Sequence, residues 1–201
     1  SYDANGNLIK KSPTASSLEP TAQLLSYDAE NRLVESKTAQ EETVTIRLEP
    51  GWNVFSLPVI PADNRITTLV PTFAQDVESI GHFNAAHNDP YVGHYQFYVG
   101  QAKFDDFTTL EYGQGYQLYC TNPNGVTLTL KGKLPTQQPS TTLLPGWHLL
   151  PAVTLESKPV SWLTQGLDTV DVRTFDAATQ TLTPATTVEA GRAYFVKQSR
   201  P

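Results

Sequence analysis

One pair of motifs occurs twice in this chain, and the duplication limits the possible fold more than any other feature of the sequence. The run LEPGWNVFSLPV at 48–59 matches LLPGWHLLPAV at 143–153, apart from one residue near the end. Further on, LEYGQGYQL at 110–118 matches VEAGRAYFV at 188–196. A pattern that is repeated within one chain indicates one folded unit built twice. We therefore predict two related units, of which the first is longer because of an insert around residues 81–100.

The Pro-Gly-Trp motif is typical of a tight turn that leads into a strand. In a type II turn the first central residue has a φ that proline fixes, and the second has a positive φ that glycine adopts easily. A tryptophan and alternating apolar residues follow the turn in both copies. Because they head matching strands, we predict that Trp52 and Trp147 are core anchors rather than platforms for a ligand.

The second motif, Glu-x-Gly-x-[Gly/Ala]-Tyr, predicts a turn at its first glycine and an alternating strand that begins near Tyr116 or Tyr194. Between the two motifs of each unit we predict a short helix, over 66–73 in the first unit and over 159–167 in the second. The second of these helices opens with a proline, which a first helical turn tolerates. A linker at 135–140 separates the two units.

Composition favours strands along the whole chain. Charged residues make up only 17% of it, while threonine is abundant and often paired. Branching at Cβ restricts the side chain and suits a pleated surface. Fifteen prolines and twelve glycines divide the chain into short elements. We predict a mainly β fold: two tandem related β units with short helices, preceded by β-hairpins in the N-terminal region.

Charge and hydropathy exclude two classes of partner. The chain has 14 Lys and Arg against 20 Asp and Glu, a formal charge of −6 that repels a phosphate backbone overall. The longest apolar stretches, such as 54–60, are far shorter than a membrane-spanning helix. We therefore expect neither nucleic-acid binding nor insertion into a membrane.

A different repeat occupies the N-terminal region. The run SYDANGNLI at 1–9 is echoed by SYDAENRLV at 26–34. Each copy predicts strand, tight turn and strand, because Asp and Asn bond to nearby backbone and Asn-Gly is a strong hairpin signal.

This repeat resembles the RHS or YD-repeat family, whose motif is close to Y-D-x-x-G-R-L. The first copy keeps the glycine but has Asn7 where arginine is usual, and the second keeps Arg32 and Leu33 without a glycine before them. The resemblance covers about residues 1–40. It implies large secreted or cell-surface proteins in which many such repeats coil into a β shell, often around a toxin or within an adhesive assembly.

The resemblance and the duplication divide the chain into three parts: YD-repeat strands at 1–43, a first β unit at 44–134 and a second at 135–201. The tandem Pro-Gly-Trp units are also similar to a module found near the ends of bacterial surface and exported proteins, which implies no particular activity. Both resemblances imply an extracellular or cell-surface location. Because the chain begins at Ser1 without methionine, we expect it to be a piece of a longer protein.

Polar residues that bind metals cluster in the insert of the first unit. His82, His87, Asp89 and His94 lie close together in sequence, and imidazole and carboxylate groups are good ligands for zinc or another transition metal. Their spacing matches no recognised site, however, so we predict no metal and no cofactor, with this cluster as the alternative.

Aromatic residues alternate in the same insert. Over 91–99 we expect Tyr91, Tyr95 and Phe97 to share one face, and His94 and Tyr98 to share the other. An aromatic face beside hydrogen-bonding side chains can stack on sugar rings or on another protein. These five residues are the candidate ligand-binding set, and a half-buried hairpin with only a structural role is the alternative.

Catalysis finds little support in the sequence. It contains no Gly-x-Ser-x-Gly elbow, no phosphate-binding glycine loop and no His-Glu-x-x-His. The adjacent carboxylates Asp105 and Asp106 would point to opposite faces of a strand, which does not suit an acid–base pair. Cys120, the single cysteine, lies in an alternating run and is predicted to be a buried small hydrophobe rather than a reactive thiol. We therefore predict no catalytic residues and no enzyme.

The functional hypothesis is a non-enzymatic structural or adhesive module of a secreted or cell-surface RHS-like protein. It would assemble with itself or with a larger repeat protein, because an unpaired strand edge templates pairing with another chain. A carbohydrate-binding module with glycan partners is the first alternative, and it follows from the aromatic insert. A fragment of a toxin or hydrolase is the second alternative, without a specific motif in its favour.

Overall fold

The fold is mainly β, as the sequence predicts, with short helices between some of the strands. The chain divides into two compact units, Ser1–Glu41 and Glu42–Pro201. Both of the β units predicted from the duplication fall within the second of these, the C-terminal unit. The structure is a computed structural model, and it describes residues 23–27, 33–38, 41–84, 94–135 and 143–199.

In the described part of the N-terminal unit, β1 (Gln23–Tyr27) and β2 (Leu33–Thr38) form an antiparallel strand pair. The pairing is irregular between Ser26 and Tyr27. The second YD copy, 26–34, therefore runs from the end of one strand to the start of its antiparallel partner, which agrees with the strands predicted for it. Its central residues and the first copy lie outside the described residues.

Strands and three four-residue helices make up the described part of the C-terminal unit. The strands of its first half are β3 (Glu41–Leu48), β4 (Gly51–Ser56), β5 (Ile60–Pro61), β6 (Val77–Phe83), β7 (Tyr95–Tyr98), β8 (Gly115–Cys120) and β9 (Val126–Lys133). Those of its second half are β10 (Gly146–Pro151), β11 (Lys158–Pro159), β12 (Thr169–Asp176), β13 (Thr181–Pro184), β14 (Thr187–Val188) and β15 (Ala193–Gln198). The helices are α1 (Ile66–Leu69), α2 (Phe73–Asp76) and α3 (Val160–Leu163).

Two four-stranded antiparallel sheets carry the duplication. The first sheet has the order β4-β8-β6-β7, and the second has the order β10-β15-β12-β13. Smaller sheets, β3-β9-β5 and β11-β14, complete the described part of the unit. Equivalent strands thus occupy equivalent places in the two large sheets.

The register of the two sheets is also the same. Gly51 pairs with Cys120 and Ser56 with Gly115 in the first sheet, while Gly146 pairs with Gln198 and Pro151 with Ala193 in the second. The third strand of each sheet, β6 or β12, has a register shift near its start, between Val77 and Ser79 in the first sheet and between Thr169 and Asp171 in the second. The equivalence predicted from the motifs therefore extends to the irregularities of the strand pairing.

One hydrogen bond explains why the glutamate and the tyrosine of the Glu-x-Gly-x-[Gly/Ala]-Tyr motif occur in both copies. The buried Tyr116 hydroxyl accepts the Glu111 N–H at 2.7 Å, and the Tyr194 hydroxyl accepts the Glu189 N–H at 2.9 Å. Burial raises the pKa of Tyr116 to about 12, so its hydroxyl stays protonated.

The turn glycines adopt the conformation that the motifs predict. Gly51 and Gly146 have φ values of 87° and 124°, and Gly113 and Gly191 have values of 84° and 74°. An L side chain rarely adopts a φ in this range, so these positions favour glycine.

A buried polar side chain ties each Pro-Gly turn to the strand that follows it. The Asn53 side chain donates to the Glu49 carbonyl at 2.7 Å and accepts the Glu49 N–H at 2.8 Å. At the equivalent place, His148 Nε2 lies 2.6 Å from the Leu144 carbonyl oxygen. Asn53 and His148 are thus different residue types in the same role, since each bonds the carbonyl of the residue four positions before it.

Two apolar clusters form the core of the unit. The cluster of the first half contains Phe55, Ile66, Ile80 and Leu118, all with no measurable exposure. The cluster of the second half is smaller and centres on Tyr194, Ala152, Val188 and Val196. Each cluster lies on one face of its four-stranded sheet and includes residues of the adjacent short helices. The opposite face of each sheet does not belong to its cluster.

The helices are shorter than predicted. The stretch 66–73 contains α1 and the start of α2 instead of one helix, because Pro71 cannot continue the hydrogen-bonded ladder of α1. In the second half the helix covers four residues of the predicted 159–167. None of the helices in the described ranges reaches the length and apolar character that crossing a membrane requires.

The two sheets meet near the middle of the unit. A methyl group added at Gly115 would lie 2.8 Å from the Leu149 carbonyl oxygen, so glycine permits the close approach of the strands there. The Ser56 N–H donates to the Gly191 carbonyl at 2.9 Å, and its hydroxyl donates to the Arg192 carbonyl at 2.6 Å. These contacts join the edge strand β4 of the first sheet to the segment that leads into β15.

Candidate functional site

Three aromatic rings lie together on the face of the first sheet that points away from its apolar core. Strand pairing places Gly81 opposite Phe97 and Phe83 opposite Tyr95, so Phe83, Tyr95 and Phe97 share this face. Gln117 of β8 pairs with Gly81 and joins the same face. All four side chains are half-buried. We call Phe83, Tyr95, Phe97 and Gln117 the aromatic strip.

Glycine and ring stacking fix the geometry of the strip. The Phe97 ring lies over Gly81, where an added Cβ would be only 3.0 Å from Phe97 Cε1. The Tyr95 and Phe97 rings are stacked, with centroids 6.1 Å apart and planes inclined by 26°. The Gln117 amide donates to the Tyr95 hydroxyl at 3.4 Å. The strip therefore presents two nearly parallel rings beside an amide and a hydroxyl.

The outer edge of β7 is closed by two carboxylates. Asp106 accepts the Phe97 N–H at 2.8 Å, and Asp105 accepts the N–H of Val99 at 2.8 Å and that of Gln101 at 3.2 Å. A strand edge whose N–H groups are already bonded is protected against pairing with another chain. The two aspartates hold the strip's strand in place, a role that the adjacent pair in the sequence does not indicate.

The five predicted ligand-binding residues separate in the structure. Tyr95 and Phe97 belong to the aromatic strip, and His94 is exposed at its end, with its ring 5.7 Å from that of Phe83. Tyr98 is only 7% exposed and packs against Phe73 in the core, so it contributes nothing to this surface. Tyr91 lies outside the described residues.

The histidines of the insert do not form a metal centre in the described residues. His82 lies on the core face, where its Nδ1 is 3.3 Å from the Gly115 carbonyl oxygen, and burial lowers the pKa of its ring. His94 lies beyond the end of the strand that carries His82, and His87 and Asp89 are outside the described residues. Among the residues that the structure describes, no three or more His, Cys, Asp or Glu side chains are grouped so that they could hold a metal ion.

The prediction that the tryptophans of the Pro-Gly-Trp motifs are core anchors is wrong. Trp52 is 40% exposed and Trp147 is 42% exposed. In each strand the residue after the tryptophan, Asn53 or His148, points toward the core and ties down the turn, so the tryptophan must point to the other face. Two half-exposed indoles therefore occupy equivalent places in the two sheets.

The neighbours of the two tryptophans differ. Trp52 meets Tyr119 edge to face, with ring centroids 5.2 Å apart. At the equivalent place, the Lys197 ammonium lies 5.9 Å from the Trp147 ring centroid. Strand pairing brings both contacts together, since Trp52 pairs with Tyr119 and Trp147 with Lys197. A lysine opposite Trp147 was the sequence signal that this face is exposed, because lysine is rarely buried.

Cys120 and the aspartates that precede the third strand of each sheet have structural roles. Cys120 is 2% exposed, as predicted, and burial raises the pKa of its thiol. The Asp76 carboxylate accepts the Asn122 amide at 2.9 Å, and the equivalent Asp168 carboxylate accepts the Ser199 hydroxyl at 2.6 Å. Each aspartate directly precedes the third strand in the order of its sheet, β6 or β12. Its carboxylate bonds the segment that follows the second strand, β8 or β15.

No protein-family model matches the chain, and no curated protein or solved structure matches it either.

Proposed function

We propose that this chain is a non-enzymatic adhesive and structural module of a secreted or cell-surface protein, which recognises its partner through the aromatic strip. The observation that carries the proposal is the group of half-buried rings, Phe83, Tyr95 and Phe97, on the sheet face opposite the first apolar cluster. At the inner end of this group, the Phe83 ring also lies 6.0 Å from the His148 ring of the second half. Rings that are fixed in place but partly exposed lose little entropy on binding, which is why aromatic residues dominate recognition surfaces.

The YD-type repeats support the proposed setting. They resemble the RHS family, which implies a large surface or secreted parent in which such a module would be displayed. The closed edge of β7 also supports recognition by side chains, because Asp105 and Asp106 bond the backbone groups that a pairing strand would need.

Adhesion is tested by retention of the full chain on immobilised extracellular-matrix proteins and on intact bacterial cells. We expect at least one of these surfaces to retain the chain, and the double substitution Tyr95→Ala with Phe97→Ala to weaken retention about tenfold, as the loss of central aromatic contacts usually does. Leu182→Ala is the matched control, because Leu182 occupies the place of Tyr95 in the second sheet and is 46% exposed. Equal retention of the two variants, or no retention of the wild type, contradicts the proposal.

A carbohydrate-binding module is the second candidate. It is favoured by the stacked Tyr95 and Phe97 rings beside the Gln117 amide, because sugar rings combine an apolar face with hydroxyl groups that an amide can bond. A glycan array distinguishes this candidate from adhesion to protein. Binding to defined glycans that Tyr95→Ala and Gln117→Ala each weaken supports it, and a blank array removes it.

A further inference from the structure

One edge of β9 is covered by a neighbouring strand along only part of its length. The strand lies between β3 and β5, and β5 pairs with it only at Gly132 and Lys133. After β5 the chain leaves β9 and continues into α1. In the described part of the chain, the stretch 126–129 of β9 therefore has no strand beside it on the β5 side.

The uncovered stretch presents backbone groups that a further strand would bond. In an antiparallel ladder, pairs that exchange two hydrogen bonds alternate with pairs that exchange none. Because Pro61 has no N–H, the hydrogen-bonded pair of the β5–β9 ladder is Ile60 with Lys133. Since the pattern repeats every two residues, the N–H and carbonyl groups of Thr127 and Thr129 point to the same side as those of Lys133. Among the described residues, no backbone hydrogen bond reaches either threonine from that side.

A groove of about 450 Å³ runs along this edge. Its first wall is β9 over 126–129, and its second wall is the segment 68–72, which runs from the end of α1 to the start of α2. Leu69, Val70 and Pro71 supply apolar atoms to the second wall. Such a groove suits an extended peptide, whose backbone bonds the strand edge and whose alternate side chains meet the opposite wall.

A carboxylate lies at one end of the groove. Of the described residues that line it, Asp76 alone is charged, and its carboxylate accepts the Asn122 amide at 2.9 Å. No cation in the described ranges forms an ion pair with Asp76. Arg47, which donates to the nearby Asn124 carbonyl, is paired with Glu49 at 3.4 Å. Because the whole chain carries a formal charge of −6, charge complementarity favours a basic peptide over a second copy of the chain.

We propose that this groove binds an extended basic segment of a partner protein, which adds to β9 as an antiparallel strand in the direction of β5. The residues opposite Thr127 and Thr129 exchange backbone bonds with them and turn their side chains to the exposed face. The side chain opposite Leu128 faces the second wall, and the side chain opposite Val126 lies at the Asp76 end. The segment therefore carries an apolar residue and, two positions later, a lysine or arginine.

The groove is a second recognition site and shares no residue with the aromatic strip. Its probe is the peptide acetyl-Gly-Thr-Val-Thr-Lys-Gly-amide, and the control peptide has glutamate in place of lysine. Each is titrated into the isotope-labelled full chain, and the backbone amide shifts in NMR spectra give the Kd. We expect the amides of Thr127 and Thr129 to shift, and the lysine peptide to bind about fivefold tighter than the glutamate peptide.

Asp76→Asn tests the charge, because it removes the carboxylate and keeps an oxygen that accepts the Asn122 amide. We expect it to remove most of the preference for the lysine peptide. Asp168→Asn is the matched control, since Asp168 has the equivalent place before β12 and lies outside the groove. It should retain the full preference.

Thr127→Pro tests the strand edge. It removes an N–H that faces the groove, and proline is accepted where no neighbouring strand uses the N–H. We expect this variant to lose binding of the lysine peptide while it keeps a native circular dichroism spectrum.

Three results overturn the proposal: no binding of the lysine peptide, equal affinity for the two peptides, or binding that a folded Thr127→Pro variant retains. If Thr127→Pro does not fold, Asp76→Asn decides alone, and an unchanged preference for lysine contradicts the proposal. Amide shifts of Thr127 and Thr129 that follow the concentration of the chain itself, without peptide binding, would assign the groove to a second copy and would also overturn it.

Discussion

The first and second sheets are built alike, yet the faces that they turn away from the core have different chemistry. Gly81, Gln117, Phe97 and Tyr95 of the first sheet correspond to Arg173, Phe195, Pro184 and Leu182 of the second. In the second sheet the Arg173 guanidinium bonds the Asp171 carboxylate at 2.8 Å, and no stacked pair of rings forms among these residues.

Comparison of the two sheets separates the residues that the shared scaffold needs from those that it does not. Residues that are identical in both copies and buried or turned through a positive φ, such as Tyr116 and Tyr194 or Gly51 and Gly146, have the same structural role twice. Several residues on the other face differ between the two copies, although Trp52 and Trp147 are identical there. A surface present in only one copy is therefore the better candidate for a function that the scaffold itself does not require.

The greatest loss of stability is expected from truncating equivalent core residues of the two sheets. Phe55 and Leu150 are equivalent and both buried. Phe55→Ala is expected to lower the free energy of unfolding by about 3–5 kcal/mol and Leu150→Ala by about 2–5 kcal/mol, because each leaves a cavity. Urea unfolding measures both. A cost below about 1 kcal/mol at either site would show that the two cores are not built as described.

The next effect concerns the close approach between the sheets. Gly115→Ala places a methyl group 2.8 Å from the Leu149 carbonyl oxygen, and we expect it to cost about 1–3 kcal/mol through overpacking. Ala193 occupies the equivalent place and its methyl group is buried at the same contact, so Ala193→Gly should cost about 1–2 kcal/mol through backbone entropy and lost burial. Thermal unfolding of both variants measures these costs. An unchanged stability of Gly115→Ala would mean that Gly115 is not at the contact.

A smaller effect tests the duplicated hydroxyl bond. Tyr116→Phe and Tyr194→Phe each leave a backbone N–H, that of Glu111 or Glu189, without its acceptor. We expect each substitution to cost about 1–2 kcal/mol, with similar values at the two sites. Chemical denaturation provides the values, and a cost at one site alone would break the equivalence of the two motifs.

A still smaller effect concerns the turn that joins β12 to β13 in the second sheet. Hydrogen bonds from Thr179 and from the N–H of Ala178 lower the pKa of Asp176, which stabilises the folded turn while the carboxylate is ionised. Because the folded pKa lies below the unfolded one, this contribution is present above the unfolded pKa and is lost as the pH falls through the folded pKa. Asp176→Asn should remove that part of the pH dependence in acid unfolding curves. Superimposable acid profiles for the variant and the wild type would contradict this role.

Much of the scaffold was predictable from the sequence because the duplication aligns the motifs. Pro-Gly turns and closing tyrosines identify the strands, and alternation identifies Tyr95 and Phe97 as residues of one face. The orientation of Trp52 was not predictable in the same way, since alternation fixes relative faces and not which of them meets the core. The buried Asn53 decides the question, and its role depends on a bond to Glu49 that only the folded turn creates.

Contacts between distant segments could not be read from the sequence. Nothing in the local pattern links Gln180 to Trp52 or Asp106 to Phe97, because these bonds depend on how strands are brought together in space. The prediction of one helix over 66–73 was wrong for a local reason that was visible in the sequence, namely Pro71. Tyr98 was placed on the correct side of its strand, but the burial of that side follows from Phe73 of a separate helix.

The most direct measurement transfers the aromatic strip to the second sheet. The four substitutions Arg173→Gly, Phe195→Gln, Pro184→Phe and Leu182→Tyr rebuild it on the equivalent strands, and saturation binding uses whichever matrix protein, cell surface or glycan retains the wild-type chain. We predict that the number of binding sites per folded chain doubles, and that Tyr95→Ala with Phe97→Ala then removes only one of the two. An unchanged capacity in a variant with a native circular dichroism spectrum would contradict the claim that the strip, carried on a shared scaffold, is the recognition surface.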